Sequence, residues 1–308
     1  MDLETWPVKT RDVRNRHMDS TVWDRFALRD GDVVVASYAK SGTTWVQQIA
    51  GQLVHGAAPD LPISTLSPWL DYRLTPPETL QRLEAQAHRR ILKTHLPLDA
   101  LRFSPRARYI YVARDGRDVA MSLHHHHLSG NALWYERLNA GPAGLGAPVG
   151  PPDPDPGRYF RAWLDGDGAP FWPYFENVRT WWAARTLPNV LFVHFNALKR
   201  DLEGEIRRIA AFLDIPIRGG ELPAVLDHCS FGYMKAHAEL VAPLGGAIFA
   251  GGAAEFIHRG ENGRWRSVLT DGDIAAYEAR ALAELGPECA AWLASGLPSP
   301  SATASPRA

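Results

Sequence analysis

Cysteine is almost missing from this chain: Cys229 and Cys289 are the only two among 308 residues. Two thiols so far apart exclude a disulfide framework and any CxxC zinc or redox motif. Long apolar runs are missing as well; no stretch approaches the roughly 18 consecutive apolar residues of a membrane-spanning helix. Neither sign of charge dominates, with 33 Lys+Arg against 34 Asp+Glu and a formal charge of −1. That balance argues against a nucleic-acid binder with a broad basic face, while leaving room for a local basic pocket. The start, Met1-Asp2-Leu3-Glu4, is acidic and has no apolar core, so no secretory signal is expected and the expected setting is the reduced cytoplasm. Internal repeats are absent, and so is the GxxxxGK[ST] pattern of a Walker A loop.

What is present is an ordinary globular composition, 45% apolar and 22% charged, which excludes global disorder. Short β-rich runs alternate with helical patterns. Val33–Tyr38 reads as a buried strand, followed by a turn at Lys40-Ser41-Gly42 and a helix with Trp45/Val46, Ile49/Ala50 and Leu53/Val54 on one face. Ile91–His95, Arg108–Ala113 and Asn189–Phe195 are the next strand candidates. Helical patterns follow through Leu128, over Leu202, Ile206, Ile209 and Leu213, and from about Asp271 with Ile274, Tyr277, Ala281 and Leu285. Such alternation predicts an α/β fold, a single domain over residues 1–295 with a central parallel sheet flanked by helices. Ligands of such sheets bind beyond the carboxyl ends of the strands. Residues 141–157 hold eleven Gly or Pro in seventeen positions, a lid or a surface excursion, and residues 296–308 read as a disordered tail.

The segment Lys40-Ser41-Gly42-Thr43-Thr44-Trp45 joins a strand to a helix N-terminus. Free backbone N–H groups and the helix dipole favour an anion there, Lys40 adds a full charge, and three hydroxyls can donate to phosphate oxygens. A plain turn with a Ser cap is the weaker reading in this setting. Arg114 ends a strand, and its planar fork suits a terminal phosphate; Ser122 lies eight positions on, in the following helix. Taken alone, Arg114-Asp115-Gly116-Arg117-Asp118 would read as a surface salt bridge. His95 sits at a strand end, and imidazole can accept a proton from a hydroxyl near neutral pH. Lys93 points to the same strand face. The run His124–His127 points four ways around a helix, so it cannot ligate one metal and reads as a solvated or partly buried helix end. No acidic pair stands where magnesium would need it, which disfavours a kinase. Aromatics crowd 134–182; most read as core, while Trp134, Phe171 and Trp172 are candidates for an apolar acceptor pocket.

Lys40–Trp45 resembles the 5′-phosphosulfate loop of the cytosolic-type sulfotransferases, enzymes that use 3′-phosphoadenosine-5′-phosphosulfate (PAPS). Lys93–Pro97 resembles the segment with that family's catalytic histidine, and Tyr111–Ser122 its 3′-phosphate strand and helix. Ser230-Phe231 with Met234-Lys235 resembles an adenine-side segment, and Phe256–Gly260 through Gly263–Arg266 the late RKGxxGxW signature. The matches run from about residue 30 to 270. The resemblance implies a P-loop kinase-like nucleotide core and sulfuryl transfer from PAPS to a hydroxyl or amine of a small apolar or aromatic acceptor, leaving adenosine 3′,5′-bisphosphate, with no metal, nucleic acid or membrane partner. It implies His95 as base, Lys40 and Lys93 as charge stabilisers, Trp45 and Phe231 flanking adenine, and Arg114, Ser122 and Arg259 on the 3′-phosphate. Ser41, Gly42, Thr43, Thr44, Ser230, His258 and Gly260 complete the donor site. The competing readings are a P-loop-type kinase and a non-catalytic nucleotide-binding protein. Three departures stand out. His258-Arg259-Gly260 replaces Arg-Lys-Gly, Phe195 stands near a usual adenine-side tyrosine, and the dimer motif KxxxTVxxxE falls poorly on Arg266, Thr270, Asp271 and Ala275. The oligomeric state stays open.

Overall fold

The computed structural model describes residues 6–297. The acidic start and all but the first two residues of the expected tail therefore lie outside the described residues. Four parallel strands, β1 (Val33–Ala36), β2 (Ile91–Thr94), β3 (Arg108–Ala113) and β4 (Val190–His194), form one sheet in the order β2-β1-β3-β4. Register places Val35 beside Lys93 on one side and beside Ile110 on the other, and Ala113 beside His194. β3 spans its apolar run in full, whereas β1, β2 and β4 are a residue or two shorter than theirs. Ser37 and Tyr38 leave the sheet because the chain turns toward Lys40, which has a left-handed φ of 64°. His95 lies just past β2, and Phe195 opens a helix.

Alternation along the strands sorts the core into two layers. Val33, Val35, Ile91, Ile110, Val112 and Val193 face the helices Thr43–Val54 and Leu202–Phe212, whose Val46, Ile49, Leu53, Ile206 and Ile209 are buried against them. Val34, Ala36, Leu92, Tyr109, Tyr111 and Ala113 face an aromatic layer from the helices Pro156–Asp165, Tyr174–Trp182 and Asp271–Ser295. Most of the aromatics of 134–182 belong there: Phe160, Trp163, Tyr174, Phe175 and Trp181 are all buried. The last helix starts with a capping box between Thr270 and Asp273 and breaks at Gly286 before Pro287.

Of the two placings expected for the histidine run, the structure shows the partly buried one. His124 and His127 are buried, while His125 and His126, on the same last turns of the helix Gly116–Leu128, are half-buried. Aromatic neighbours are the reason: Tyr159 lies beside His124, and Trp134, Tyr135 and Phe171 surround His127. The Gly/Pro-rich strip is tied to the body of the protein. Asn139 exchanges side-chain hydrogen bonds with the backbone of Val149, and Arg16 donates to the carbonyls of Asn139, Gly146 and Ala147. Its last residues, Pro156 and Gly157, open a helix capped by Asp155.

Candidate active site

One cleft of about 220 Å³ lies beyond the carboxyl ends of the strands. Residues following all four strands line it: Lys40 and Thr43 after β1, His95 after β2, Arg114 after β3 and Phe195 after β4. One half is cationic and the other aromatic, with Lys93 and His95 where they meet.

The cationic half begins with the turn after β1. Gly42, at φ 107°, caps the helix Thr43–Val54, and a Cβ there would stand 2.9 Å from the Phe195 ring. Only glycine satisfies both conditions. Lys40 Nζ lies 4.6 Å over the Phe256 ring. Burial, then Lys93 and Arg114, push its pKa down to about 7. Burial likewise brings Lys93 down to about 8, against the opposing pull of Asp71. A bound anion would reverse these shifts, since it repays the desolvation of the charged amines.

Arg114 ties three segments together. Its Nε donates to Asn262 Oδ1 at 2.9 Å, Nη2 to the Glu261 carbonyl at 2.6 Å and Nη1 to the Lys40 carbonyl at 3.4 Å. The salt bridge suggested by Arg-Asp-Gly-Arg-Asp exists, but Arg117 makes it, with Asp115 at 2.7 Å and Glu278 at 2.8 Å. Arg114 makes no carboxylate bridge among the described residues and lines the cleft. Asp118 Oδ1 accepts from Gly263 N at 2.7 Å, holding the late loop against the helix Gly116–Leu128. Gly260, at φ 63°, lets Phe231 approach to 2.8 Å of where a Cβ would stand. Trp45 is fixed by its Nε1 donating to the Cys229 carbonyl at 2.8 Å.

Thr44, Trp45, Ser122, Phe231, His258, Arg259 and Gly260 also line the cleft. Ser41 and Ser230 do not. Ser41 is buried behind the turn, and Ser230 Oγ caps the helix Phe231–Ala236 by accepting from Tyr233 N. Thr43 lines the cleft with its hydroxyl already paired, 2.6 Å from Ser37 Oγ.

His95 is buried and held neutral, its pKa pushed well below the usual histidine range by desolvation and then by Lys93. Its Nδ1 lies 2.7 Å from the Ser37 carbonyl, so Nδ1 carries the proton and Nε2 the lone pair. Asn177 Nδ2 donates to the His95 carbonyl at 2.9 Å and fixes the backbone.

The aromatic half is made by Trp134, Phe171 and Trp172, as the sequence suggests, together with Trp69, Tyr72 and His17, which it does not. Trp69 and Tyr72 stack at 4.4 Å, and Trp69 meets the edge of His95 at 4.6 Å. These residues lie in segments without a motif; only the 69–72 aromatic pair preceding β2 offered a faint signal. None of residues 141–157 is among those lining the cleft. Among the described residues, one group has metal-ligand spacing: His125, Glu255 and His258, with ligand atoms within 4.8 Å of one another. Burial is the main cause that lowers the pKa of both imidazoles; Lys40 and Arg264 add to it at His125, and Arg264 and Arg259 at His258, while Glu255 opposes it at both.

A sulfotransferase domain model matches residues 30–285. The chain belongs to the sulfotransferase family. A glycolipid sulfotransferase of Mycobacterium bovis is 31% identical over 307 residues, covering 92% of this chain and 94% of the relative. Mouse sulfotransferase 2B1 is 28% identical, covering 82% and 70%. Among solved structures, retinol dehydratase in complex with retinol and PAP superposes with a TM-score of 0.66 at 26% identity, over 86% of this sulfotransferase and 84% of that chain. Mouse SULT7A1 complexed with PAP shares the fold, with a TM-score of 0.65 at 21% identity over 84% and 86%. Among the described residues, no helix of the sulfotransferase is long and apolar enough to cross a membrane.

Proposed function

We propose that this sulfotransferase moves the sulfuryl group of PAPS to a hydroxyl of a small or medium-sized apolar or aromatic acceptor, with His95 as the general base. The single observation that carries this is His95 itself. It is a neutral, buried imidazole whose Nδ1 is committed to the Ser37 carbonyl, and it stands between a cationic half-cleft and an aromatic one. The acceptor oxygen attacks sulfur as the bond from sulfur to the 5′-phosphate oxygen breaks. The acceptor proton passes to His95 Nε2, and adenosine 3′,5′-bisphosphate leaves. Lys40 meets the charge growing on the leaving oxygen, and Lys93 that on the sulfuryl oxygens. Arg114, Ser122 and Arg259 hold the 3′-phosphate, and Trp45 and Phe231 flank the adenine.

The donor fits what is present. The cleft gathers Lys40, Arg114, Arg259 and Arg264 around a helix N-terminus with a glycine at its cap. The nucleotide-bound neighbours support the same reading, since two of the solved neighbours were captured with PAP, the nucleotide that PAPS leaves behind. The acceptor class rests on the aromatic wall and on retinol in one neighbour. The decisive experiment is an acceptor panel with labelled PAPS, comparing phenols and hydrophobic alcohols with a glycolipid and heparan-like chains. Sulfation of the phenols or alcohols is expected. Labelling of the heparan-like chains alone would refute the acceptor class. Labelling of the glycolipid alone would move it to the chemistry named for the mycobacterial relatives.

A further inference from the structure

The aromatic half of the cleft contains polar atoms that nothing among the described residues satisfies. His17 Nε2, His126 Nδ1 and Trp172 Nε1 are each buried without a hydrogen-bond partner, and all three rings line the cleft. Buried polar groups are almost always paired, by protein, by water or by a ligand. His17 is placed with care. Its N–H donates to Asn15 Oδ1 at 2.8 Å, its carbonyl accepts from Arg73 N at 2.7 Å, and its ring sits 5.0 Å from Phe171 and 5.6 Å from Trp172. Trp172 stands between this histidine and the base, its ring 5.5 Å from that of His95. His126 closes the far side, with Trp134 at 5.5 Å and Phe249 at 5.2 Å.

We infer that His17, Trp172 and His126 form a polar subsite for a second oxygen on the acceptor, so that the preferred acceptor is an uncharged ring compound bearing another hydroxyl or carbonyl besides the hydroxyl that is sulfated. This rests on the acceptor reading above and narrows it. The chemistry of the three groups defines the ligand. An indole N–H only donates, so the atom it meets must carry a lone pair. A neutral imidazole both donates and accepts, so a hydroxyl satisfies it in either tautomer. Burial holds both histidines neutral, so neither compensates a charged group on the ligand. A carboxylate would instead be drawn toward Lys40 and Lys93, where the sulfuryl group must sit. Flat walls from Trp69, Trp134 and Phe171 suit a ring.

The test compares 2-naphthol with 2,6-dihydroxynaphthalene, by tryptophan-fluorescence titration with and without adenosine 3′,5′-bisphosphate and by turnover with PAPS. Wild-type chain should bind the diol at least about ten-fold more tightly, well beyond the two-fold expected from its two equivalent hydroxyls. In His17→Phe that preference should shrink to no more than the two-fold statistical factor, and His17→Gln, which keeps a donor and an acceptor, should restore most of it. Trp172→Phe gives a second reading of the same loss should His17→Phe not fold. No preference in the wild type, or an undiminished preference in both apolar variants, would overturn the inference. Tight diol binding without turnover on either naphthol would leave this subsite standing and refute the sulfuryl-transfer reading of the acceptor instead.

Discussion

The two halves of the cleft are built in opposite ways. The cationic half is built from a few short motifs, each local in itself, to which a late loop adds Arg259 and Arg264. Lys40, Gly42 and Thr44 sit within one turn, and Arg114 and Ser122 within one strand–helix junction. The aromatic half is assembled from distant pieces: His17 from the N-terminal segment, Trp69 and Tyr72 ahead of β2, Trp134 from the helix Ala132–Asn139, and Phe171 and Trp172 ahead of the helix Tyr174–Trp182. A phosphate site needs backbone N–H groups and one or two charges at fixed spacing, so its geometry is encoded over a few residues. An apolar wall needs only volume, which any packed segment can supply. On the function proposed above, the first half carries the reaction and the second selects the acceptor.

His95 joins the halves, and its removal should have the largest effect. His95→Asn should lower turnover by about 10²–10⁴-fold, the usual contribution of a positioned base. Affinity for adenosine 3′,5′-bisphosphate should stay close to wild type, because the base acts on the acceptor. Parallel loss of nucleotide affinity in calorimetry would place His95 in the cationic half as a structural residue. Lys40→Ala should follow, with a loss of about 10²–10³ in single-turnover rate, comparable with removing one donor to a developing oxyanion. Unlike His95→Asn, it should also weaken nucleotide binding. A wild-type-like single-turnover rate would remove the turn after β1 from the mechanism.

Much of the cationic half was legible in the sequence for the reason just given. Strand, turn and helix are consecutive, and the lysine and glycine sit where the turn requires them. The parallel sheet was legible too, because strands buried on both faces read as continuous apolar runs. What was not legible depends on tertiary packing. The run His124–His127 read as a solvated or partly buried helix end, and no local pattern tells which, because Trp134, Tyr159 and Phe171 reach it from elsewhere in the chain. Ser230 resembled a ligand-binding residue, yet its hydroxyl caps a helix, a use with the same local signature. His17 carried no signal at all, since one histidine in a polar N-terminal segment is indistinguishable from its neighbours until Phe171 and Trp172 pack on it.

Arg114→Ala sharpens the contrast within the cationic half. It should weaken adenosine 3′,5′-bisphosphate by roughly ten- to a hundred-fold, as expected for charge-assisted hydrogen bonds of about 1.5–3 kcal/mol. Adenosine 5′-monophosphate, lacking the terminal phosphate, should lose much less. Equal losses would mean that Arg114 acts only by anchoring the Glu261 carbonyl and Asn262, and not by touching the nucleotide.

The smallest expected effect is a pH dependence confined to the cationic half. Lys40 titrates near 7 in the free protein because burial, Lys93 and Arg114 all disfavour its charge, and Lys93 titrates near 8. A bound bisphosphate favours the charged amines and raises both values, so above neutrality binding must be accompanied by proton uptake. Affinity should therefore be greatest below the pKa of free Lys40 and fall as pH rises through it, by several-fold between about pH 7 and about pH 9. The nucleotide's own phosphates gain charge near pH 6, which acts in the opposite direction, so the decline is cleanest above neutrality. His95, His126 and His258 are all held well below the usual histidine range and stay neutral throughout that window. Lys40→Arg separates the sources, because a guanidinium stays charged and should flatten the part of the curve near pH 7, leaving the Lys93 limb. Isothermal titration in buffers of different ionisation enthalpy reads the proton uptake directly. Affinity that rises with pH, or an unchanged curve in Lys40→Arg, would show that the lysine of the turn does not meet the nucleotide.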